Sequence, residues 1–546
     1  MEAWEVIIIG GGHAALRSAI AAKDANTSVV VVSIEGAGNS GDGDSTGFAS
    51  SISETSSRGH RNDTIRCGEF LCDQDIVSSR TASASNHLAE LERWGVNFRR
   101  NSEGIPQTNI LPGHHMPRVS GCGDTTDFEV QQALAEQCMK SGISRRGDTL
   151  VLRIVSSGNK IHGITTLDLT SGKVTALQCK ALIIADDGFE GAWTSTSSGG
   201  RGMHLALQSG ISLRDMEFQS WSPLGIPDSE VSLPLGLLNE GAILAGPGGE
   251  LDAESPSPSA MAAKMAAGGD GWSLDLRNID SSARSWYTAT FAHTDIRLGL
   301  DAESEPLPVE PRVVGTLGGI PVDVDGRVMI GNWQIVFAGL YAAGEAACSG
   351  LHGAGAAAGN RLLDALAGGS AAGTHASSYA GASKFSGSER LLSQLSEDES
   401  TLTSMLSTTS GDDTPRAGEI RSSLNNIMTN HMGLKRSEAS LNEAVEKLSD
   451  LAGRAAGLRL DYRDSLLMNQ NLVENIRIQS MVSIARTAVT AALLRQESRG
   501  THNREDFTDQ DDETFLKHSM VGADGASDWL PLRKSNHGSW ILAPDA

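Results

Sequence analysis

The sequence predicts an α/β fold in which a Rossmann-like sheet domain is interrupted by an inserted α+β domain and followed by a C-terminal three-helix domain. The first observation is an apolar run that enters a glycine turn at residues 6–12. The second is a stretch from about residue 226 to 324 in which proline, glycine and acidic residues are frequent. The third is helical hydrophobic periodicity beyond residue 416. A chain of 546 residues also exceeds one compact core, which favours several domains.

The N-terminal segment predicts a strand, a tight turn and a helix that begins near His13. Gly10 can adopt the tight turn, Gly12 lets the backbone approach a diphosphate, and Ala15 is small enough for the helix to lie against the sheet. The helix N-terminus offers unpaired N–H groups to phosphates. The pattern therefore predicts a nucleotide cofactor, and an ordinary tight turn in a parallel sheet is the alternative.

A second apolar strand is predicted over residues 28–33, and Glu35 follows its end. At that position a carboxylate can accept hydrogen bonds from both hydroxyls of a ribose. A solvated loop acid is the alternative. Residues 36–57, rich in glycine, serine and aspartate, predict a surface or ligand-lining loop.

Later strands complete the predicted sheet. Residues 149–155, 160–168 and 173–179 predict an antiparallel meander, and residues 180–185 predict a buried strand that returns to the sheet. Another apolar strand begins at residue 335 and ends at Gly344 and Glu345, shortly before a helix that starts near Gly359. A glycine and an acid at a strand end, beside a helix N-terminus, again predict a phosphate- and ribitol-binding site.

The C-terminal part begins with residues 371–415, which are rich in serine, threonine and glycine and predict a flexible connection with a weak helix over 389–406. Strong helical periodicity then covers residues 419–432, 437–456 and 469–497. Ser437 is the expected N-cap of the second helix. The charged segment over residues 499–518 is by default a solvated surface.

Composition limits the function classes. The formal net charge of −23 argues against nucleic acid or an anionic membrane as a direct partner. No segment is apolar over enough residues to span a bilayer, and no signal peptide precedes the first strand. We therefore expect a cytoplasmic protein whose membrane association, if any, comes through partner subunits.

The six cysteines are scattered along the chain without a C-x-x-C pair or a His/Cys cluster at metal spacing. We expect most of them to be buried small apolar residues. The sequence predicts no metal site.

Several separated segments together resemble one family. They are residues 10–14 (GGGHA), 68–75 (GEFLCDQD), 90–96 (ELERWGV), 215–218 (DMEF), 318–321 (GGIP), 339–348 (GLYAAGEAAC) and 497–507 (ESRGTHNREDF). In this order they resemble the flavoprotein subunit of succinate dehydrogenase and fumarate reductase, and its relative L-aspartate oxidase. The resemblance extends over roughly residues 3 to 520.

The resemblance implies a domain organisation. An FAD-binding domain covers residues 1–225 and 326–370, a capping domain 226–325, a flexible connection 371–415, a helical domain 416–520 and a tail 521–546. It also implies hydride transfer between a dicarboxylate and flavin, with electrons passed to an iron–sulfur subunit of a membrane-associated complex. A dicarboxylate needs arginines and histidines around it, because two negative charges are not desolvated without paired donors.

The cofactor-binding residues predicted from the turn and the resemblance are Gly10, Gly12, Ala15, Glu35, Ser45, Thr46, Gly188, Gly344, Glu345 and Leu362. The family's covalent flavin histidine corresponds to Ser45, so non-covalent FAD is expected. Asp186 and Asp187 replace small residues of the family, and we expect the backbone to turn them away from the phosphates. Arg201 takes the position of a family aspartate. Arg361 and Leu362 take the positions of a serine–leucine pair of the family.

The substrate side departs from the family. The histidines and arginines that the family uses to bind substrate correspond here to Ser222, Ile243, Val314 and Ala356. The family's capping-domain arginine, which donates a proton, has no counterpart near Ser259. Such a pocket favours a less charged molecule. Two retained groups, Glu240 as a proton-relay residue and His352 near the flavin, are the candidate catalytic residues; a surface carboxylate and a hydrogen-bonded loop histidine are the structural alternatives.

The sequence thus predicts the FAD-dependent flavoprotein subunit of a succinate dehydrogenase/fumarate reductase-type complex, an oxidoreductase of electron transport and the tricarboxylic acid cycle. It transfers a hydride between a dicarboxylate and flavin and passes electrons to an iron–sulfur subunit. One alternative is a catalytically impaired paralogue that serves as a flavin-binding or assembly scaffold. The other is an oxidoreductase with a different, less charged substrate.

Overall fold

The computed structural model describes residues 1–34, 46–51, 54–251, 256–331, 333–407, 411, 414–535 and 537–544. The strands are β1 (Glu2–Ile9), β2 (Val29–Val32), β3 (Phe48–Ala49), β4 (Val119–Ser120), β5 (Ser144–Arg146), β6 (Thr149–Ser157), β7 (Lys160–Asp168), β8 (Lys173–Ile184), β9 (Leu213–Arg214), β10 (Gln219–Gly225), β11 (Ile243–Gly246), β12 (Gly249–Glu250), β13 (Ser273–Asp275), β14 (Leu307–Pro308), β15 (Glu310–Thr316), β16 (Ile320–Pro321), β17 (Arg327–Ile330), β18 (Ile335–Ala342), β19 (Ala347–Cys348), β20 (His518–Val521) and β21 (Ser527–Leu530). The helices are α1 (His13–Asp24), α2 (Glu54–Cys67), α3 (Gln74–Trp94), α4 (Thr126–Lys140), α5 (Arg201–Gln208), α6 (Pro258–Gly268), α7 (Ser281–Arg284), α8 (Thr288–Leu298), α9 (Asn360–Ala382), α10 (Glu389–Ser407), α11 (Ala417–His431), α12 (Glu438–Ala455), α13 (Gln470–Leu494) and α14 (Asp512–Phe515).

The central sheet confirms the predicted α/β class. β1 lies between β2 and β8 and is parallel to both. β5 extends the parallel part beyond β2, and β18 pairs in parallel with the end of β8. Ile7 and Ile8 are fully buried because helices cover both faces of this part of the sheet.

The predicted meander is present, with one difference. β6, β7 and β8 pair in antiparallel order, but residues 173–179 and 180–185, predicted as two strands, form the single strand β8. Its first half pairs with β7 and its second half with β1. β8 therefore belongs to both the antiparallel and the parallel part of the sheet. The pattern of hydrophobic residues along the chain does not show that the strand changes its pairing partner partway along.

The inserted segment forms a small separate layer. β12, β11, β13 and β14 make an antiparallel sheet, against which α6 packs through Met261 and Met265. The chain then returns through β18 to the central sheet, as the sequence predicted.

The three C-terminal helices α11, α12 and α13 match the predicted helices to within a few residues at most of their ends. The Ser437 side chain accepts a hydrogen bond from the Ser440 N–H, which confirms the predicted N-cap. The structure differs over residues 371–415, predicted as a flexible connection. α9 continues to Ala382, and α10 packs on the meander because Leu391 is buried against Val155 and Ala176.

The charged C-terminal segment is buried only in part. Residues 499–504 and His518 are buried or half-buried, whereas most of residues 505–514 are exposed, so the default expectation of a solvated surface is wrong for the first part of the segment and for His518. The side chains of Arg495, Glu497 and Arg499 are fully buried. Arg495 Nε lies 2.7 Å from Glu217 Oε1, and Arg499 Nε lies 2.8 Å from Glu497 Oε1. Buried charges persist only when they are paired in this way.

The same network continues to β20, which pairs with β9. His518 lies between two carboxylates, with Nδ1 2.6 Å from Asp215 Oδ2 and Nε2 3.3 Å from Asp73 Oδ1. Burial alone would lower the pKa of His518, but the charges of Asp215 and Asp73 outweigh it and raise the pKa above its usual value, despite the nearby Arg214. The His518 ring therefore joins the C-terminal segment to the first domain through Asp215 and Asp73.

We predict that this contribution of His518 to stability depends on pH. Because the pKa of His518 is raised in the folded state, its protonation stabilises the fold. This contribution is fully present below the unfolded pKa of about 6.5 and is lost as the pH rises through the folded pKa. Each unit of that rise corresponds to about 1.4 kcal/mol. The stability difference between the wild type and H518Q, measured by urea unfolding, should thus be larger at pH 6 than at pH 9. The exposed His293 provides the control H293Q, which should show no such trend. A difference that is constant with pH would contradict the prediction.

Candidate functional site

The turn after β1 is fixed by a close approach of two backbones. Gly10 has φ of 118°, and a Cβ at this position would lie 2.1 Å from the carbonyl oxygen of Ala185. Its N–H donates to the Val32 carbonyl at 2.9 Å. Only glycine satisfies both the conformation and the contact.

Gly12 has a different role. Its φ of −80° is open to any residue. Among the described residues, no atom lies within 4 Å of the position that its Cβ would take. Gly12 also lines a cavity and precedes α1, whose described first turn carries no acidic side chain. The N–H groups of this helix end are thus available to an anion in the cavity.

An elongated cleft runs past the turn. Its larger cavity has a volume of about 960 Å³ and is lined by Gly12, His13, Ala14, Gly47, Asp127, Ala185, Asp186, Asp187, Glu190, Ser220, Pro258, Val314, Gly344, Glu345, Ala356, Ala357, Ala358, Gly359, Arg361, Leu362 and Ala365. A second cavity of about 590 Å³ shares Asp186 and Asp187 with it and extends to Gly10, the end of β2 and Arg201. Gly12 lines the first cavity and Gly10 the second, so the turn lies beside two adjoining cavities, an arrangement that suits a dinucleotide.

The two aspartates of the cleft have structural partners. Asp186 Oδ2 accepts a hydrogen bond of 3.1 Å from the Gly202 N–H in the first turn of α5. The neighbouring Arg201 donates to the carbonyl groups of Val151 and Leu152. Burial, together with the charge of Arg153, lowers the pKa of Arg201 to about 10, which leaves it charged at neutral pH. Asp186 and Asp187 line both cavities, so the expectation that these carboxylates turn away from the phosphates stays a prediction.

Beyond the turn, the end of β18 and the start of α9 face the larger cavity. Gly344 has φ of 66°. The Glu345 carboxylate forms an ion pair with the Arg361 guanidinium. Arg361 and Leu362 lie in the first turn of α9, which places the positive end of this helix at the cavity.

The far end of the larger cavity is mostly apolar. Pro258 of the inserted domain, Val314 of β15 and Ala356–Ala358 form this wall, together with Ser220. Among the described residues that line the cavity, the basic side chains are His13 and Arg361. Ser222 does not line it, and its Oγ accepts hydrogen bonds from the Leu224 N–H and the Ser232 hydroxyl.

The predicted cofactor residues lie along this cleft to different extents. Gly12, Gly344, Glu345 and Leu362 line the larger cavity, and Gly10 lines the adjoining one. Ala15 is buried in α1, and Gly188 lies behind the cavity against Glu190 and Thr316. Thr46 lines a third cavity. Glu35 and Ser45 lie outside the described residues, so their roles stay predictions.

The two candidate catalytic residues lie elsewhere. Glu240 Oε1 lies 2.5 Å from Arg99 Nη1, and both line the third cavity, of about 400 Å³, with Thr46 and Tyr287. His352 is buried, with its Nε2 3.6 Å from Asp364 Oδ2, and burial lowers its pKa. It is not among the described residues that line the larger cavity. Both roles stay predictions.

Sequence reasoning missed residues that reach the cleft from distant elements. Gln131 of α4 donates to the Gly11 carbonyl at 2.8 Å, and His13 Nε2 contacts the Asp127 carbonyl at 3.0 Å. Glu190 and Ser220 line the cavity from the connection after β8 and from β10. No spacing signal marks them, because each is brought to the site by tertiary packing alone.

The glycine turn and the adjoining cavities define the class of protein as a dinucleotide-binding α/β protein with an inserted domain. The chain belongs to the family of the FAD binding domain, whose model matches residues 5–362, and residues 421–535 match the fumarate reductase flavoprotein C-terminal domain. It is an FAD-dependent oxidoreductase of the succinate dehydrogenase/fumarate reductase type, with FAD as its cofactor.

Relatives support this membership over nearly the whole chain. The fumarate reductase flavoprotein subunit of Haemophilus influenzae is 28% identical and aligns with 95% of this chain and 91% of its own length. The succinate dehydrogenase flavoprotein subunit of Rickettsia conorii is 27% identical, with 96% and 93% covered. A structure of E. coli quinol fumarate reductase FrdA superposes with a TM-score of 0.91 at 25% identity, covering 100% of this chain and 98% of that chain. Adenylylsulfate reductase from Archaeoglobus fulgidus shares the fold, with a TM-score of 0.77 at 16% identity over 99% and 97%.

We predict that two neighbouring alanine substitutions separate folding from FAD binding. G10A should destabilise the protein by more than about 2 kcal/mol, because the new methyl meets the Ala185 carbonyl. G12A should leave the thermal stability of the FAD-free protein unchanged and weaken FAD binding at least tenfold, since its methyl points into the cavity. Thermal unfolding and FAD titration measure the two effects, and unimpaired FAD binding by G12A would contradict this assignment of the diphosphate site.

Proposed function

We propose that this chain is the flavoprotein subunit of a complex of the succinate dehydrogenase/fumarate reductase type. It exchanges a hydride with a small carboxylate substrate at the far end of the cleft and passes electrons to an iron–sulfur subunit. The observation that carries the proposal is the pair of adjoining cavities beside the Gly10–Gly12 turn, the larger of which is lined partly by Pro258 of the inserted domain. Similarity over both the FAD-binding and the C-terminal regions supports it.

The residues of the cleft suit the parts of FAD. The N-terminus of α1 offers N–H groups to the diphosphate, and the cavity beside β2 offers apolar walls and Arg201 to the adenosine. Glu345 is positioned to accept hydrogen bonds from ribityl hydroxyls. When bound, FAD supplies a ring that accepts or donates a hydride. Pro258 and Ser259 of α6 close the far end and reduce the access of water.

The relatives' names as subunits support an iron–sulfur partner, which would accept the electrons in a complex at the cytoplasmic face of a membrane. No described helix is long and apolar enough to cross a bilayer. In this proposal the partner subunits therefore provide any attachment to the membrane.

A dicarboxylate is the substrate that the family resemblance implies. A specific observation favours a less charged carboxylate instead. Val314 and Ala356 line the far end of the cavity at positions where the resemblance implies a histidine and an arginine. The second carboxylate of a dicarboxylate would lose its water at this wall without gaining a charged donor from either position. Its desolvation would then cost several kcal/mol of binding free energy.

We predict that the purified protein is yellow and that acid precipitation releases its flavin into the supernatant. The physical reason is that Ser45, in place of a histidine, offers no imidazole for a covalent bond. The visible spectrum before and after precipitation measures both binding and covalency. Flavin that stays in the washed pellet would contradict the non-covalent proposal.

We predict that reduction of the monocarboxylate crotonate by the dithionite-reduced protein exceeds that of fumarate at least tenfold in kcat/KM. A356R, which adds a cation to the far wall, should shift this ratio toward fumarate by tenfold or more, since one good charge donor is worth orders of magnitude in rate. R416Q, at an exposed ion pair of the helical domain, is the control. A wild-type preference for fumarate would support the dicarboxylate instead. An FAD-loaded protein that reduces neither crotonate nor fumarate but still binds an iron–sulfur protein would contradict both substrate proposals. That result would favour the assembly scaffold.

A further inference from the structure

We propose that Arg361 sets the reduction potential of the bound FAD by holding a positive charge beside the ribityl and isoalloxazine portion of the cofactor. The inference rests on FAD as the cofactor, and neither the substrate nor the partner of the proposed function enters it.

The position of Arg361 follows from the order of the cleft. The adenosine cavity and the Gly10–Gly12 turn account for one end of FAD and for its diphosphate. The larger cavity continues from Gly12 past Gly344 to Ala356, so this stretch receives the ribityl chain and the ring. Arg361 lines that stretch from the first turn of α9.

The neighbouring strand leaves room for this guanidinium. A Cβ at Gly315 would lie 2.2 Å from Arg361 Nη2 and 2.8 Å from Glu345 Oε1. Gly315 is not among the described glycines with positive φ, so the backbone of β15 does not require a glycine there. Glycine at residue 315 therefore leaves free the space that the Arg361–Glu345 ion pair occupies.

The charges around the cavity give Arg361 its effect. Asp186, Asp187 and Glu190 also line this cavity, and the Glu345 carboxylate contacts Arg361 directly. The side chains of Arg361 and Glu345 are only 19% and 28% exposed, so that their fields are weakly screened by solvent. The helix end of α9 adds partial positive charge on the same side.

Reduction of FAD takes two electrons and one proton and leaves one negative charge on the ring. Arg361 stabilises this anion more than the neutral oxidised ring, and so it raises the midpoint potential. Glu345 acts in the opposite direction. The pair thus allows two substitutions with opposite expected signs.

The test measures the midpoint potential of the FAD-loaded full chain, with dithionite as reductant and reference dyes of known potential. R361Q should weaken the binding of reduced FAD relative to oxidised FAD about tenfold, which lowers the potential by about 30 mV. E345Q should raise the potential, and the double variant should lie near the wild type. R416Q is the matched control, at an arginine outside the cleft.

Three results would overturn the inference. The first is a shift of the potential in the same direction for R361Q and E345Q, and the second is a change of less than twofold in the ratio of the affinities for reduced and oxidised FAD in both variants. The third is an equal loss of affinity for oxidised and reduced FAD in R361Q, which indicates a purely structural contact. If R361Q does not fold, G315A tests the same point, because its methyl displaces the guanidinium and should lower the potential. Dithionite supplies the electrons, so a failure of the proposed substrate or partner leaves this measurement unaffected.

Discussion

The fold depends on the position of β1 between β2 and β8. Parallel pairing on both sides buries Ile7 and Ile8 completely and brings the end of β8 to the end of β1. At that point the Ala185 carbonyl occupies the space of a side chain at residue 10. The glycine turn, the direction of α1 and the opening of the cleft all follow from this close approach. The nucleotide site is therefore a consequence of how the sheet is assembled.

A second constraint joins the ends of the chain. The buried Arg495 is compensated by Glu217 of the first domain and by the neighbouring Glu497. Removal of one partner of such a pair costs roughly 3–5 kcal/mol, because the other charge stays buried without compensation. Domains that are far apart in sequence are thus coupled through charge rather than through a shared apolar core alone.

The site combines an anion-binding end with a far end that offers few charges. The helix end of α1 and Arg201 suit a dinucleotide, while Val314 and Ala356 leave the far wall apolar. Arg361 and Glu345 also line the larger cavity and form an ion pair there. The chain therefore binds FAD, as its family does, while in our proposal the apolar wall selects a less charged substrate than the family resemblance implies.

The sequence by itself determined the Rossmann-like turn, the strands of the sheet, the three C-terminal helices and the family, because hydrophobic periodicity, glycine spacing and capping residues are local signals. Gly12, Gly344 and Glu345 were predicted at the cleft for the same reason. Only the tertiary structure decided that residues 173–184 form one strand with two kinds of partner, that α10 packs on the meander, and that the first part of the charged C-terminal segment, residues 499–504, is largely buried. It also decided the contacts of Arg361 with Gly315 and Glu345, and of Glu240 with Arg99. Burial and ion pairing between residues far apart in the chain depend on which surfaces meet, and no local pattern encodes that.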